Sequence, residues 1–237
     1  MVAIALAIGE PLPGTVTLAL AAGAGVCAVA GLLGLYAGLA IGRMGVVAPV
    51  TAVIAAILPV GVGFARQGLP AIGVMIGIGC ALVGVVLVSR SPDPAGRRSG
   101  IEYAIVGGIG IGLFNVLVGA FPEHRVAWPL AVIKGAALVA TVAIVVLGRR
   151  PWRVPQPLIP AVATVALLDL AGNGLYILAT QTGRLDVAAT LSSLYPVTTI
   201  VLAIVLLRER VSRSHLAGII MAGLAVALIA GGSAAPA

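Results

Sequence analysis

The sequence predicts an all-α integral membrane protein, built as a polytopic helical bundle. Of its 237 residues, 61% are apolar and only 9% are charged, which leaves too little polar surface for a water-facing globule of this length. The charged residues collect in short clusters, and the apolar stretches between them have about 20 residues, enough to cross a hydrocarbon core about 30 Å thick. Membrane β-strands would alternate polar and apolar residues, and stretches such as 198–207 do not. Helices are therefore expected to cross the membrane.

The apolar stretches predict eight full spans and one partial helix. The opening residues 1–10 are apolar over too short a length to span a bilayer and lack the basic start of a secretory signal, so they are expected to be the end of a helix. The full spans are expected at 16–41, 45–65, 70–89, 101–121, 127–147, 158–180, 185–207 and 212–232.

Short motifs recur in the same order in the two halves of the chain. The tripeptide Gly-Leu-Tyr at 34–36 returns at 174–176, Gly-Arg at 42–43 returns at 183–184, and Leu-Pro-Val at 58–60 returns as Tyr-Pro-Val at 195–197, at offsets of 140, 141 and 137. The turn-forming, charged stretch 90–100 separates the halves. We therefore predict a first unit at 1–89, an inter-repeat loop at 90–100 and a second, five-helix unit at 101–232.

An odd number of spans per unit makes tandem units cross the membrane in opposite senses. The two units are therefore predicted to be inverted repeats. Since only three full spans and the partial helix precede the boundary, the first unit is expected to be N-terminally incomplete, lacking its first helix and part of its second. A truncated or misassigned start is the preferred explanation.

The formal net charge of +7 reflects topology and not a nucleic-acid partner, because the arginines lie in short loops without a continuous basic face. Alternate loops carry ten and three arginines, which places the richer set in the cytoplasm and the uncharged C-terminal tail outside. Cys27 and Cys80 lie inside apolar stretches. Neither a disulfide nor a metal or other cofactor is expected.

The segment 191–230 carries a Ser/Thr-bearing helix broken at Tyr195 and Pro196, a glutamate between Arg208 and Arg210, and a Gly-rich last helix. It resembles the closing two helices of a unit of the EamA family, in the drug/metabolite transporter superfamily. The segments 34–50 and 73–89 are similar to the corresponding parts of a first unit, although the turn at 64–68 has no acidic residue.

This resemblance implies ten helices in two inverted units, with both termini in the cytoplasm. That orientation is opposite to the one given by the arginine count. It also implies transport, often export, of small metabolites or drugs by a multi-pass protein of the cell membrane. The missing helices are the main departure from the family pattern.

Two ionisable residues lie near the middle of predicted spans. Lys134 is about a third of the way along the fifth full span, and Asp169 is close to the middle of the sixth. A charge at the centre of a membrane helix raises the free energy of insertion by about 2.5 to 3.5 kcal/mol. Each of these residues is therefore expected to have an ionic partner or a functional role. Asp169, Asn173 and Tyr176 share one helix face, which predicts a polar stripe facing protein.

The next span carries a similar polar stripe, with Ser192, Tyr195 and Thr199 at positions i, i+3 and i+7. Pro196 lies among them and removes a backbone hydrogen-bond donor. Together with Asn115 and Tyr36 from other spans, the two stripes are expected to enclose a site near the bilayer midplane. Asp169 would bind a proton or a cationic group. The alternative is that Lys134 and Asp169 form a structural ion pair, while the other polar side chains hydrogen-bond between helices.

These features favour a transporter that moves a small-molecule substrate by alternating access, with Asp169 as a proton-coupling group, and not an enzyme. The alternative from another class is a membrane-embedded enzyme that acts on lipids, but the seven acidic residues lie mostly in separate loops and assemble no catalytic set. An inactive, truncated transporter fragment is a third hypothesis. The lipid bilayer is the expected environment, and a homodimer is left open.

Overall fold

The computed structural model describes residues 1–42, 44–88, 100–122, 125–149, 155–192, 194, 197 and 213–233. In this part of the chain the regular elements are α-helices, apart from a single 3-10 turn at Gln156–Leu158. In chain order the helices are α1 (Val2–Ala7), α2 (Thr15–Ile41), α3 (Met44–Gln67), α4 (Ile72–Val88), α5 (Ile101–Val118), α6 (Ala127–Leu147), α7 (Ile159–Thr182), α8 (Leu185–Ser192) and α9 (Arg213–Ser233).

Five segments in the described residues are helical, long and apolar enough to cross a membrane: Thr15–Ile41, Val46–Gln67, Ile101–Val118, Ala127–Leu147 and Gln156–Thr182. They coincide within a few residues with five predicted spans and confirm the fold class of a helical membrane protein. The predicted spans at 70–89 and 212–232 contain the shorter apolar segments Ile72–Leu87 and Leu216–Ile229, and 185–207 is described as a helix only over α8. As full crossings these three stay predictions.

Backbone contact between α2 and α5 forms the centre of the bundle. A Cβ atom on Gly34 would lie 2.6 Å from the amide nitrogen of Gly107, and one on Gly110 would lie 2.5 Å from that of Gly31. No side chain fits at such distances, so the two helices approach this closely because both carry glycine at the crossing. A neighbouring face of α5 packs on α3, where Gly108 faces Ile54.

A second close pair joins α4 to α9, the last helix of each predicted unit. A Cβ atom on Gly77 would lie 3.1 Å from the carbonyl oxygen of Ala225, and one on Gly84 would lie 3.0 Å from that of Gly218. Because the later residue of α4 meets the earlier residue of α9, the helices are antiparallel. Small residues again permit the approach, as expected where lipid provides no hydrophobic drive for helix association.

Hydrogen bonds between loops show which helix ends lie together. Arg125 donates to the carbonyl of Pro11, Gln181 donates to the carbonyl of Arg125, and Arg184 donates to the carbonyl of Gln67. The beginnings of α2, α4, α6 and α8 and the ends of α3, α5 and α7 therefore lie at one end of the bundle. We call this the Arg184 end and its opposite the far end. Accordingly α2 and α7, which carry the recurring Gly-Leu-Tyr, run in opposite directions.

The glycine crossing makes a prediction about stability. Gly110→Val should lower the apparent melting temperature of the detergent-solubilised protein by several degrees, because the new side chain would push against the backbone of α2 and overpacking costs about 1 to 3 kcal/mol. Gly79→Val is the matched control, since a Cβ on Gly79 meets nothing within 4 Å. Equal melting temperatures for the two variants would contradict the tight crossing.

Candidate functional site

An ion pair joins α6 to α7 within two of the candidate membrane spans. Lys134 Nζ lies 2.5 Å from Asp169 Oδ2. The other carboxylate oxygen, Oδ1, accepts a hydrogen bond of 2.8 Å from Asn173 Nδ2, which also donates to the Asp169 carbonyl at 2.9 Å. Both carboxylate oxygens therefore have a donor, and the Lys134 charge is neutralised locally.

The pair is accessible and not sealed in the core. The side chains of Lys134 and Asp169 are 33% and 54% exposed. The Asp169 stripe was expected to face protein, and the structure differs because the buried residues of α7, within the described part of the chain, lie near the Arg184 end. Tyr176 and Ile177 are buried there, whereas α7 residues 159–169 are all exposed.

The residues of α6 also become more exposed from the Arg184 end toward the far end. Its first residues include the buried Ala127, Pro129, Leu130 and Ile133, whereas residues 141–144 and 146–147 are exposed. Both helices are thus packed at the Arg184 end and unpacked toward the far end. Lys134 and Asp169 lie where packing gives way to exposure.

Tyr176 and Asn115 lie closer to the Arg184 end than the ion pair does. The Tyr176 ring stacks on Phe114 of α5, with centroids 6.3 Å apart and planes at 27°. Its hydroxyl is buried and, among the described residues, has no hydrogen-bond partner. Asn115, next to Phe114, is 9% exposed. The Phe114–Tyr176 contact therefore joins α5 to α7 and buries the Tyr176 hydroxyl.

The other predicted site residues are placed elsewhere or lie outside the described residues. Tyr36 is 63% exposed on α2, near its far end, because the neighbouring Gly34 is the residue that faces α5. Ser192 is exposed at the last position of α8. Tyr195, Thr199 and the predicted helix break at Pro196 fall outside the described part. The structure thus joins Lys134, Asp169 and Asn173 directly, with Tyr176 three residues beyond Asn173 on α7, and buries Asn115 on α5.

An open groove of about 480 Å³ runs along another side of α7. It is lined by apolar side chains of α6 and α7, among them Leu130 and Leu170, and by Met1. Within the described residues, no group of three or more His, Cys, Asp or Glu side chains is arranged to hold a metal ion. The site is thus a neutral ion pair with one amide beside an apolar surface, suited to binding small polar or charged groups by hydrogen bonds.

Two polar clusters at the Arg184 end were not predicted from the sequence. Asp186, in the first turn of α8, has 0% exposure and pairs with Arg184 at 3.0 Å. Glu10, between α1 and α2, accepts hydrogen bonds from the backbone N–H groups that begin α6. An acidic residue in the first helical turn, as at Asp186, is a recognisable sign of a helix start, but only the fold shows that it is buried.

Comparisons with known proteins agree with the helical fold. The family model described as the EamA-like transporter family matches residues 98–231, more than half of the chain. A solved crystal structure with 18% sequence identity matches with a TM-score of 0.61, covering 98% of this chain and 90% of its own. At that identity the likeness shows the fold alone. No curated protein matches the sequence.

The ion pair predicts that removing one charged partner destabilises the protein more than removing both. Asp169→Leu should lower the apparent melting temperature, because it leaves Lys134 charged at mid-span, where a charge costs up to about 2.5 to 3.5 kcal/mol. Lys134→Leu combined with Asp169→Leu should recover most of the loss, since no charge is then left without a partner. Thr164→Ala is the control, because its hydroxyl bonds only within α7, to the Pro160 carbonyl. A double variant no more stable than the single one would rule out mutual compensation.

Proposed function

The chain belongs to the EamA-like transporter family, a family of multi-pass membrane transporters of the drug/metabolite type, and from this membership we propose that it moves a small metabolite or drug across the membrane by alternating access, as an exporter. The substrate would bind at Lys134, Asp169 and Asn173.

The observation that carries the site is an accessible ion pair at membrane depth. More than half of the Asp169 side chain is exposed, so protein does not enclose its carboxylate. Its carboxylate and the Lys134 ammonium therefore stand where a substrate can exchange hydrogen bonds with them. Ionisable side chains inside membrane spans mark substrate or ion pathways in many transporters.

Tyr176 adds a second polar group to the proposed site. Its hydroxyl is buried without a partner among the described residues, which is unfavourable for a static core. It lies two turns of α7 beyond Asp169, on the same helix face. We therefore include Tyr176 as a contact that a substrate reaches when α7 moves, and we keep Asn115, a buried amide on α5, as a further candidate. Ser192, Tyr195, Thr199 and Tyr36 stay as predicted contributors that rest on the sequence pattern.

The division into inverted units at 1–89 and 101–232 is retained as part of the proposal. It is supported by the opposite directions of α2 and α7 and by the antiparallel pairing of α4 with α9, the equivalent helices of the two units. In inverted-repeat transporters the units rock about a site near the midplane. The exposure of α6 and α7 toward the far end is what a site open to that side requires.

Proton coupling would use the Asp169 carboxylate. Protonation of this group would release the Lys134 ammonium from its partner, so the charge of the site would change with the side of the membrane to which it opens. By the arginine count the far end faces the cytoplasm of a plasma-membrane protein. A substrate would then load from inside and leave at the Arg184 end.

Flux measurements test the proposed site. In proteoliposomes with an imposed proton gradient, screened with amino acids, nucleobases and cationic drugs, the protein should transport at least one class of solute. Asp169→Asn should reduce that flux at least tenfold and remove its dependence on pH, because the amide cannot take up a proton. Thr164→Ala should transport normally. Unaltered, pH-dependent flux in Asp169→Asn would refute the role of Asp169.

Tyr176→Phe separates substrate contact from packing. It removes only the hydroxyl, which has no partner in the described structure, so the melting temperature should stay the same or rise. Substrate affinity should fall, measured as an increase of severalfold in the KM of transport. An unchanged KM would remove Tyr176 from the site.

A further inference from the structure

Two clusters of charged and polar side chains tie the predicted units together at the Arg184 end. In the first, Arg184 Nη2 lies 3.0 Å from Asp186 Oδ2 and its Nε donates to Oδ1 at 3.1 Å, so the contact is bidentate. The same guanidinium donates to the backbone carbonyls of Gln67 and Gly68, at 3.2 and 2.6 Å. Arg184 thus joins the start of α8 to the end of α3.

The packing around Asp186 makes this junction tight. Asp186 has 0% exposure, and a Cβ on Gly63 of α3 would lie 2.9 Å from the Asp186 Cβ. The backbone N–H of Leu185 also donates to Gln67 Oε1 at 3.1 Å. A buried carboxylate is tolerated because Arg184 neutralises it, and charge-assisted bidentate contacts are among the stronger hydrogen bonds in proteins.

The second cluster joins the loop before α2 to the loop before α6. Glu10 caps α6 by accepting from the backbone N–H groups of Ala127 and Trp128, each at 3.1 Å. Its own carbonyl accepts from Trp128 Nε1 at 2.7 Å. Arg125, in the loop before α6, makes a further contact with the loop before α2 by donating to the Pro11 carbonyl at 3.0 Å.

The two clusters share a place and a topology. Each joins residues before the inter-repeat loop to residues after it, and both lie at the Arg184 end, where α6 and α7 are packed. Toward the far end the same two helices are exposed. Away from the Arg184 end, the Thr51 hydroxyl joins the units by donating to the Ala104 carbonyl at 3.1 Å.

We infer that Arg184, Asp186 and Gln67, together with Glu10, Arg125 and Trp128, form a polar gate that closes the transport pathway at the Arg184 end. The inference rests on the proposed function and names the contacts that must break for the site to open on that side. The contacts are made largely to backbone carbonyls and N–H groups at helix ends. Water can therefore replace them when the units rock apart, without leaving buried polar groups unpaired.

A thiol reporter behind the gate provides the test. In a Cys27→Ala, Cys80→Ala background, Thr190→Cys places the reporter one turn beyond Asp186 at a position with 0% exposure. Asp186→Asn or Arg184→Gln should speed its reaction with a water-soluble methanethiosulfonate by about tenfold, the loss expected when one charge-assisted contact is weakened. Arg66→Gln, an exposed arginine at the same end of α3, is the matched control and should leave the rate unchanged.

A second reporter separates gating from unfolding. Thr51→Cys, also at 0% exposure but close to the far end, should stay slow to react in the gate variants. Faster labelling at both reporters would mean general loosening and would overturn the gate, as would unchanged labelling at Thr190→Cys.

A cross-link gives the converse experiment and keeps the two proposals distinguishable. Oxidation of a Gln67→Cys, Leu185→Cys pair should stop solute flux, and reduction should restore it. Flux that persists with the link formed would overturn the gate but leave the transport function standing. If the labelling behaves as expected while the unlinked protein transports nothing, these contacts still control access to the interior at the Arg184 end, and it is the proposed transport function that fails.

Discussion

The direct contact between the backbones of α2 and α5 is the constraint on which the rest of the bundle depends. Lipid provides no hydrophobic drive for helices to associate, so the chain uses glycine to bring backbones within van der Waals distance and gain dispersion contacts over a long crossing. The contact extends to α6, where a Cβ on Gly25 would lie 2.4 Å from the Ile133 carbonyl oxygen. These three helices form the block against which the others are placed.

The position of α7 follows from that block. With α5 and the first half of α6 held against α2, α7 contacts the core chiefly through Tyr176 and Ile177 and diverges beyond them. The divergence exposes Asp169 and leaves Lys134, on the neighbouring helix α6, as its partner. Polar side chains are otherwise concentrated at the helix ends, where loops supply carbonyls and water competes at low cost. The one charged contact at mid-depth in the described residues thus stands apart from the clusters at the Arg184 end.

Periodicity and composition predicted much of this arrangement from the sequence. Five spans were predicted within a few residues, because apolar length is set by the bilayer and needs no knowledge of neighbours. The pairing of Lys134 with Asp169 was anticipated as an alternative, since two opposite charges at mid-span have few other partners. The exposure of Asp169 and Tyr36 was not predicted, because it depends on which face of α2 and α7 meets another helix. Glu10 was missed because its partners are backbone N–H groups more than 100 residues away. Asp186 was missed because, although its partner Arg184 is only two residues away, its burial depends on the packing of α8 against α3.

The separation of Lys134 from Asp169 by 35 residues has a consequence for the synthesis and membrane insertion of the protein. At synthesis rates of about 5 to 20 residues per second, the lysine leaves the ribosome about 2 to 7 s before the aspartate that neutralises it. During that interval α6 must be accepted by the insertion machinery with its charge uncompensated. Its mean hydropathy of 2.5, the highest among the five candidate spans, favours insertion in spite of that charge. The strongly apolar composition of α6 therefore serves the order of events during insertion as well as the finished fold.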